Sequence, residues 1–263
     1  SPDPLFPGEP DARSFDALLA RIRRHFRVLP LGHALDLLDQ GRLPRAALSI
    51  TFDDGYADNA EVALPILKRH DLAATFFIAT GFLQERLMFN DVVVECVRHS
   101  RAEHLDLAAF GGGALSIDTL QQRILAIETL LPRVKYLGLE DRERALNEVR
   151  RMTGHPNLPA RLMMTPGQVR LMADAGMEIG AHTVNHPILA RLEEREARHE
   201  MAEGKRQLES LLGERVQLFA YPNGRPGSDY LPVHVDMVRV LGFDAAVSTS
   251  WGAASVRSPI HEL

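Results

Sequence analysis

The sequence predicts an α/β fold built on parallel strands. Three observations carry this expectation: short, nearly continuous apolar runs, helical patterns between them, and a 263-residue length over which the alternation repeats. Such runs suit strands covered on both faces, as in parallel sheets. An open doubly wound sheet and a barrel both fit this rhythm, and in either the functional groups sit where strands end and loops begin.

The first strand is Ala46–Phe52 (AALSITF), followed by a helical pattern over Asn59–Arg69. The second is Ala73–Ala79 (AATFFIA). Residues 83–165 then change character. Helical patterns lie near Ile117–Leu131 and Asp141–Met152, with a Gly-rich piece at Gly111–Gly113 and no strong strand signal. This stretch reads as a helical insertion within one domain spanning 1–263. Thr165 as N-cap and Pro166 at the first helical position open a helix over Thr165–Ala175. Met177–Ala181 (MEIGA) is the next strand, and Pro187–Leu212 is a long amphipathic stretch ending at Gly213. Within it, the Glu193–Glu203 cluster mixes charge signs at helical spacing and reads as a solvated face. Val216–Tyr221 (VQLFAY) and Phe243–Ser248 (FDAAVS) complete the strands.

Composition narrows the function classes. Apolar residues make up 45% and charged residues 25%, close to the globular average. One cysteine, Cys96, excludes a disulfide scaffold or a Cys-based zinc site. No apolar run approaches a membrane span, and a net charge of −5 argues against a general nucleic-acid footprint. No secretory pattern is visible after Ser1, so the expectation covers both cytoplasm and periplasm. Oligomeric state is not legible.

Three strand signals end in chemistry. TFDDG at 51–55 places two adjacent carboxylates, Asp53 and Asp54, after an apolar strand, with a glycine closing the turn. One carboxylate could ligate a metal while the other acts as a base. HTVNH at 182–186 follows MEIGA and offers two imidazoles four apart. Pro187 makes regular helix through His186 unfavourable, which puts the pair in a loop. Two imidazoles and one carboxylate make an open site for a catalytic divalent ion, with room for water. Phe219–Gly224 (FAYPNG) ends the Val216–Tyr221 strand in a turn that can present the Asn223 N–H to a developing oxyanion. Each segment also has a plain reading: a strand-terminating turn, two surface histidines with Asn185 capping the next helix, and a Pro-Asn-Gly turn. Together they supply the inventory for metal-assisted hydrolysis of an amide or ester.

In order and spacing, TFDDG, HTVNH and the Tyr-Pro strand end resemble the first three motifs of the polysaccharide deacetylases, the family-four carbohydrate esterases with the NodB-homology domain. The resemblance runs from about Ala46 to the C-terminus, interrupted by the insertion. It implies a distorted (β/α) barrel of about seven strands. It also implies that Asp53 is the general base and that Asp54, His182 and His186 bind a divalent metal, most often Zn2+. The metal and the Asn223 N–H would stabilise the oxyanion. The family's acid is typically a histidine in a late Leu-His segment, for which Ile260-His261 is the nearest match. Many members carry an arginine in the third motif where this chain has Ala220, which points to the Tyr-Pro subgroup. No Asp-Trp motif accompanies Trp251.

The implied activity is removal of N-acetyl groups from an amino-sugar polysaccharide or glycolipid. Alternatives are an O-acetyl esterase or cyclic-amide hydrolase on the same fold, or a non-catalytic glycan-binding protein. Tyr56, Asn90, Asp91, Tyr221, Pro222 and Asn223 are the candidate substrate contacts; for Asn90-Asp91 a helix cap is the competing role. His70, His99, His104, His155 and His234 have no partner at ligand spacing and read as structural or surface residues.

Overall fold

The computed structural model describes residues 3–83 and 86–263. In chain order its helices are α1 (Ala12–His25), α2 (Leu31–Asp39), α3 (Leu64–Arg69), α4 (Phe89–His99), α5 (Leu120–Lys135), α6 (Leu139–Met152), α7 (Pro166–Asp174), α8 (Glu194–Leu212) and α9 (Pro232–Val240). The strands are β1 (Arg27–Val28), β2 (Ala47–Leu48), β3 (Thr51–Phe52), β4 (Thr75–Ile78), β5 (His104–Asp106), β6 (Ala114–Ser116), β7 (Glu178–Ala181), β8 (Leu218–Ala220) and β9 (Ala245–Val247).

The chain divides into two compact units. One comprises Ala12–Arg86 with Leu162–Leu263, the other Leu87–Arg161 with the stretch before Ala12. The larger holds a curled, all-parallel sheet in the order β3-β4-β7-β8-β9 and a separate parallel pair, β1-β2. These make up the parallel strands of the expected barrel, divided between two sheets.

The division has a local cause. The apolar run 46–52 changes partner midway: Ala47 and Leu48 pair with Arg27 and Val28, whereas Thr51 and Phe52 pair with Thr75 and Phe76. The Ser49 hydroxyl donates to the Leu29 carbonyl at 2.9 Å, between the two pairings. Alternate residues of the strands enter different apolar clusters. Phe76, Ile78, Ala181, Phe219 and Ala246 pack in the main core with residues of α3, α7, α8 and α9. Phe77, Leu218, Ala220 and Ala245 pack with Leu35 of α2. Burial on both faces explains why these strands read as continuous apolar runs.

Several boundaries differ from expectation. Asn59–Ala63 is a single π-type turn leading into α3. Pro187 does not open a helix; a short 3-10 turn at Leu189–Arg191 intervenes before α8. Thr165 caps α7 as expected, its hydroxyl accepting the Gln168 N–H at 3.2 Å. Helices α1 and α2 carry amphipathic patterns that a strand-led reading passes over.

The smaller unit packs α4, α5 and α6 around Val93, Val97, Ile127, Leu130 and Val149. It also contains a hairpin in the segment read as wholly helical: β5 pairs antiparallel with β6, Leu105 opposite Leu115. Its strands are three residues long and β5 buries only Leu105. Such strands leave no apolar run to detect.

Candidate functional site

The three motifs follow the carboxyl ends of β3, β7 and β8, members of one parallel sheet. Four of their residues other than glycine have left-handed backbone: Asp54 (φ 73°), Thr183 (φ 67°), His186 (φ 49°) and Asn223 (φ 61°). Such conformations cost energy and persist only where surrounding bonds enforce them. At Asp54 the left-handed turn ends the strand alternation that would send neighbouring carboxylates to opposite faces.

Asp54 Oδ1 lies 3.5 Å from His182 Nε2 and 3.3 Å from His186 Nε2. The two rings are 4.8 Å apart between centroids. The ligand atoms of all three residues lie within 4.8 Å of one another. Both histidines are buried, and Asp54 Oδ1 is sealed from solvent. His182 Nδ1–H donates to the Ala220 carbonyl at 2.8 Å, which turns Nε2 toward Asp54, where it carries a proton in the charged ring and a free lone pair in the neutral one. One carboxylate and two imidazoles fit a divalent cation and leave coordination positions for water. Burial opposes the Asp54 charge, but the bond to His182 and the nearby charges of His186 and His182 outweigh it and lower the Asp54 pKa. Burial likewise opposes a charged His182, but Asp54 and Asp53 outweigh it and raise the His182 pKa.

Asp53 stands beside this cluster. Its residue surface reaches solvent, yet protein surrounds the carboxyl closely on its other sides. That desolvation raises its pKa; His182 opposes the shift and Asp54 adds to it. Among the described residues, no hydrogen-bond donor engages the Asp53 carboxylate. In the third motif, the Asn223 N–H likewise donates to no described group. The Thr249 hydroxyl donates to the Asn223 carbonyl at 3.0 Å.

The remaining candidates occupy varied positions. Tyr56 is half-buried just past the Asp53–Gly55 turn and bridges to Met163. Tyr221 is buried, stacks on Tyr230 at 3.8 Å, and donates its hydroxyl to the His261 carbonyl at 2.9 Å. Burial raises its pKa strongly. Pro222 is buried beside it. Asn90 and Asp91 lie in the first turn of α4, in the smaller unit, and the Asp91 carboxylate accepts the Met88 N–H at 3.3 Å. His261 Nε2–H donates to the Phe243 carbonyl at 3.1 Å. That bond holds the imidazole near the start of β9, whereas the third motif follows the carboxyl end of neighbouring β8.

One buried carboxylate beside the 182–186 loop escaped the sequence reading. Glu200, within the cluster read as solvated, is buried. Its carboxylate accepts the backbone N–H groups of Val184 (3.0 Å) and Asn185 (2.7 Å) and the Asn185 side-chain amide (2.7 Å). The available signal was its place on the buried stripe of α8, with Ala197, Met201, Gly204 and Leu208.

The fold and strand ends define an α/β protein with a candidate metal centre at the carboxyl ends of its parallel strands. The family model "Polysaccharide deacetylase" matches residues 40–245. The chain belongs to that family. It is 22% identical over 228 residues to the Bacillus subtilis protein YxkH, which is named for a polysaccharide deacetylase. That alignment covers 86% of this chain and 53% of YxkH, so the chain spans about half the length of this curated relative. Among solved structures, the fold matches the Streptococcus pyogenes deacetylase PplD in complex with acetate (TM-score 0.63, 20% identity, 100% of this chain and 84% of that one). It also matches IcaB from Ammonifex degensii (TM-score 0.59, 19% identity, 96% and 82%). Among the described residues, no helix is long and apolar enough to cross a membrane.

Proposed function

We propose that the chain is a metal-dependent hydrolase that removes N-acetyl groups from an amino-sugar polysaccharide or glycolipid, with zinc as its ion. The observation that carries this reading is the convergence of Asp54 Oδ1 on two imidazole Nε2 atoms beside an unbonded Asp53. Membership of the polysaccharide deacetylase family supports the substrate class.

Asp54, His182 and His186 would hold the ion. A divalent ion bound there supplies a Lewis acid and lowers the pKa of water from 15.7 to about 7. Asp53 accepts the proton of the attacking water, and its raised pKa makes it a stronger base than an ordinary carboxylate. The Asn223 N–H is available to the acetamide oxygen as charge develops there. The departing amine then needs a proton. Asp53 carries one after the first step, whereas His261 can act as the acid only once its ring leaves the Phe243 carbonyl. Tyr56 is proposed to meet the sugar beside the base, with Tyr221 and Pro222 as buried support for the Asn223 turn. Asn90 and Asp91 are proposed as further sugar contacts.

The test is acetate release from N-acetylglucosamine oligomers by chelated protein given back zinc or cobalt. Asp53→Asn is expected to lower turnover about 10²–10⁴-fold while keeping the metal. Full activity in that variant rejects the assigned base. A panel of O-acetyl esters and cyclic imides separates the related hydrolase chemistries. A non-catalytic glycan-binding role has one observation behind it: Ala220 replaces the arginine that would orient Asp53. Glycan binding without acetate release by the metal-loaded protein would favour that role.

A further inference from the structure

We infer that Glu200 is a positioning residue of the metal centre: from α8 its buried carboxylate clamps the loop between the two histidine ligands and sets where His186 points. The inference rests on the metal-site reading above. It concerns a residue that touches neither ion nor substrate.

The loop 182–186 needs such a clamp. Two of its five residues, Thr183 and His186, have left-handed backbone, a conformation unfavourable for side chains of their size. Within the loop, the Thr183 hydroxyl accepts the His186 N–H at 3.1 Å. That bond ties the loop to itself, while the N–H groups of Thr80 and Gly81 hold one side of it through the Thr183 (3.2 Å) and Val184 (2.9 Å) carbonyls. Glu200 supplies the tie on the other side, to α8, through three N–H donors from Val184 and Asn185. Hydrogen bonds to a carboxylate are about twice as strong as neutral ones.

Two glycines press the same segment from different elements. A Cβ at Gly204, one turn beyond Glu200, would lie 2.9 Å from the Thr183 carbonyl oxygen. A Cβ at Gly81 would lie 2.7 Å from the Val184 carbonyl oxygen. Helix α8 therefore touches the loop backbone directly, and Glu200 is the side chain that fixes it there. The sequence places this carboxylate 14 residues beyond His186, too far for spacing alone to reveal it.

The experiment uses cobalt-loaded full chain, reading the Co2+ dissociation constant by chelator competition and the visible absorption bands that report coordination geometry. Glu200→Gln is expected to weaken Co2+ binding about tenfold or more and to alter the bands. Glu200→Asp, which keeps a carboxylate, is expected to recover part of the affinity. Gly204→Ala displaces the loop from the same helix without touching a ligand and is expected to weaken binding in the same way. Lys205→Met serves as the control. It lies on the same helix but bonds the carbonyls of Leu241 and Gly242, so it should lower the unfolding temperature and leave Co2+ affinity and bands unchanged. Unaltered affinity and spectrum in both Glu200→Gln and Gly204→Ala would overturn the inference. Failure of the unaltered protein to bind Co2+ would instead sink the metal-site reading itself.

Discussion

The Nδ1–H of His182 donates to the main-chain carbonyl of Ala220 at 2.8 Å. The strand end that carries the third motif thereby orients an imidazole from the second. The Nε2 is directed at Asp54 by the protein's own backbone. A site organised in this way stabilises the fold when it takes up metal. At a free metal concentration of 100 times the dissociation constant, binding contributes about 2.7 kcal/mol. For a chain of this size, that corresponds to a rise of about 5 °C or more in the unfolding midpoint. The measurement is differential scanning fluorimetry on chelated protein with and without zinc or cobalt. Asp54→Asn should lose most of the rise. No rise in the unaltered protein would count against the site.

The His261 ring is engaged at the start of β9. Its ring donates to the Phe243 carbonyl, and its own carbonyl accepts from Tyr221. On this geometry His261→Ala should keep turnover within a few-fold of the unaltered protein. An acid positioned at the leaving group is worth about 10²–10⁴-fold. A loss of that size, with substrate affinity unchanged, would restore His261 as the acid and require its ring to swing away from Phe243 during turnover.

The parts of this molecule most legible in sequence are those whose physics is local. The runs 73–79 and 216–221 overlie β4 and β8 because both faces of those strands are buried, which forces continuous apolar sequence. The carboxylates and imidazoles were legible because a strand end followed by Gly55 or Pro187 marks where side chains leave the sheet. What stayed hidden depends on distant partners. Ala46–Phe52 reads as one strand, yet its two halves find different neighbours. Glu200 sits among charges of both signs; its place on the apolar stripe of α8 hints at burial, but its bonds form only when the 182–186 loop arrives, unlike those of solvated residues such as Glu203.

His234 makes the fold sensitive to acid. It is buried in the first turn of α9, and its Nδ1 accepts the Leu231 N–H at 2.9 Å. Burial lowers its pKa, and the nearby Glu194 only partly opposes that shift. The native state therefore resists a proton that the unfolded chain takes up near pH 6.5. The stability from keeping this ring neutral is fully present above that pH and is lost as pH falls toward the native pKa. His234→Gln keeps a side chain able to reach back to the helix start but removes the titration. Urea midpoints measured from pH 7.5 to 5 should fall less steeply in the variant. Parallel pH dependence in the two proteins would show that His234 does not contribute.

Lys205 ties α8 to the end of α9. Its Nζ donates to the carbonyls of Leu241 (3.0 Å) and Gly242 (2.8 Å), just past the last turn of α9. It also lies 4.3 Å from the centre of the Phe243 ring and 4.0 Å from a Glu209 oxygen. Carbonyls at a helix end lack intrahelical donors and carry the negative end of the helix dipole, so a cation is well placed there. Lys205→Met preserves most of the packing of the aliphatic stem and removes every donor. The cost is the loss of two charge-assisted bonds, about 1.5–3 kcal/mol each before solvent replaces them. Because the side chain is mostly buried, water can recover only part of that loss, and a net destabilisation of about 2 kcal/mol is expected. Thermal unfolding should show this as a fall of about 4–8 °C. Burial lowers the Lys205 pKa, so the ammonium is held at a desolvation cost that its oxygen partners must exceed. A midpoint equal to or above that of the unaltered chain would mean that they do not, and that an apolar side chain would link the two helices as well.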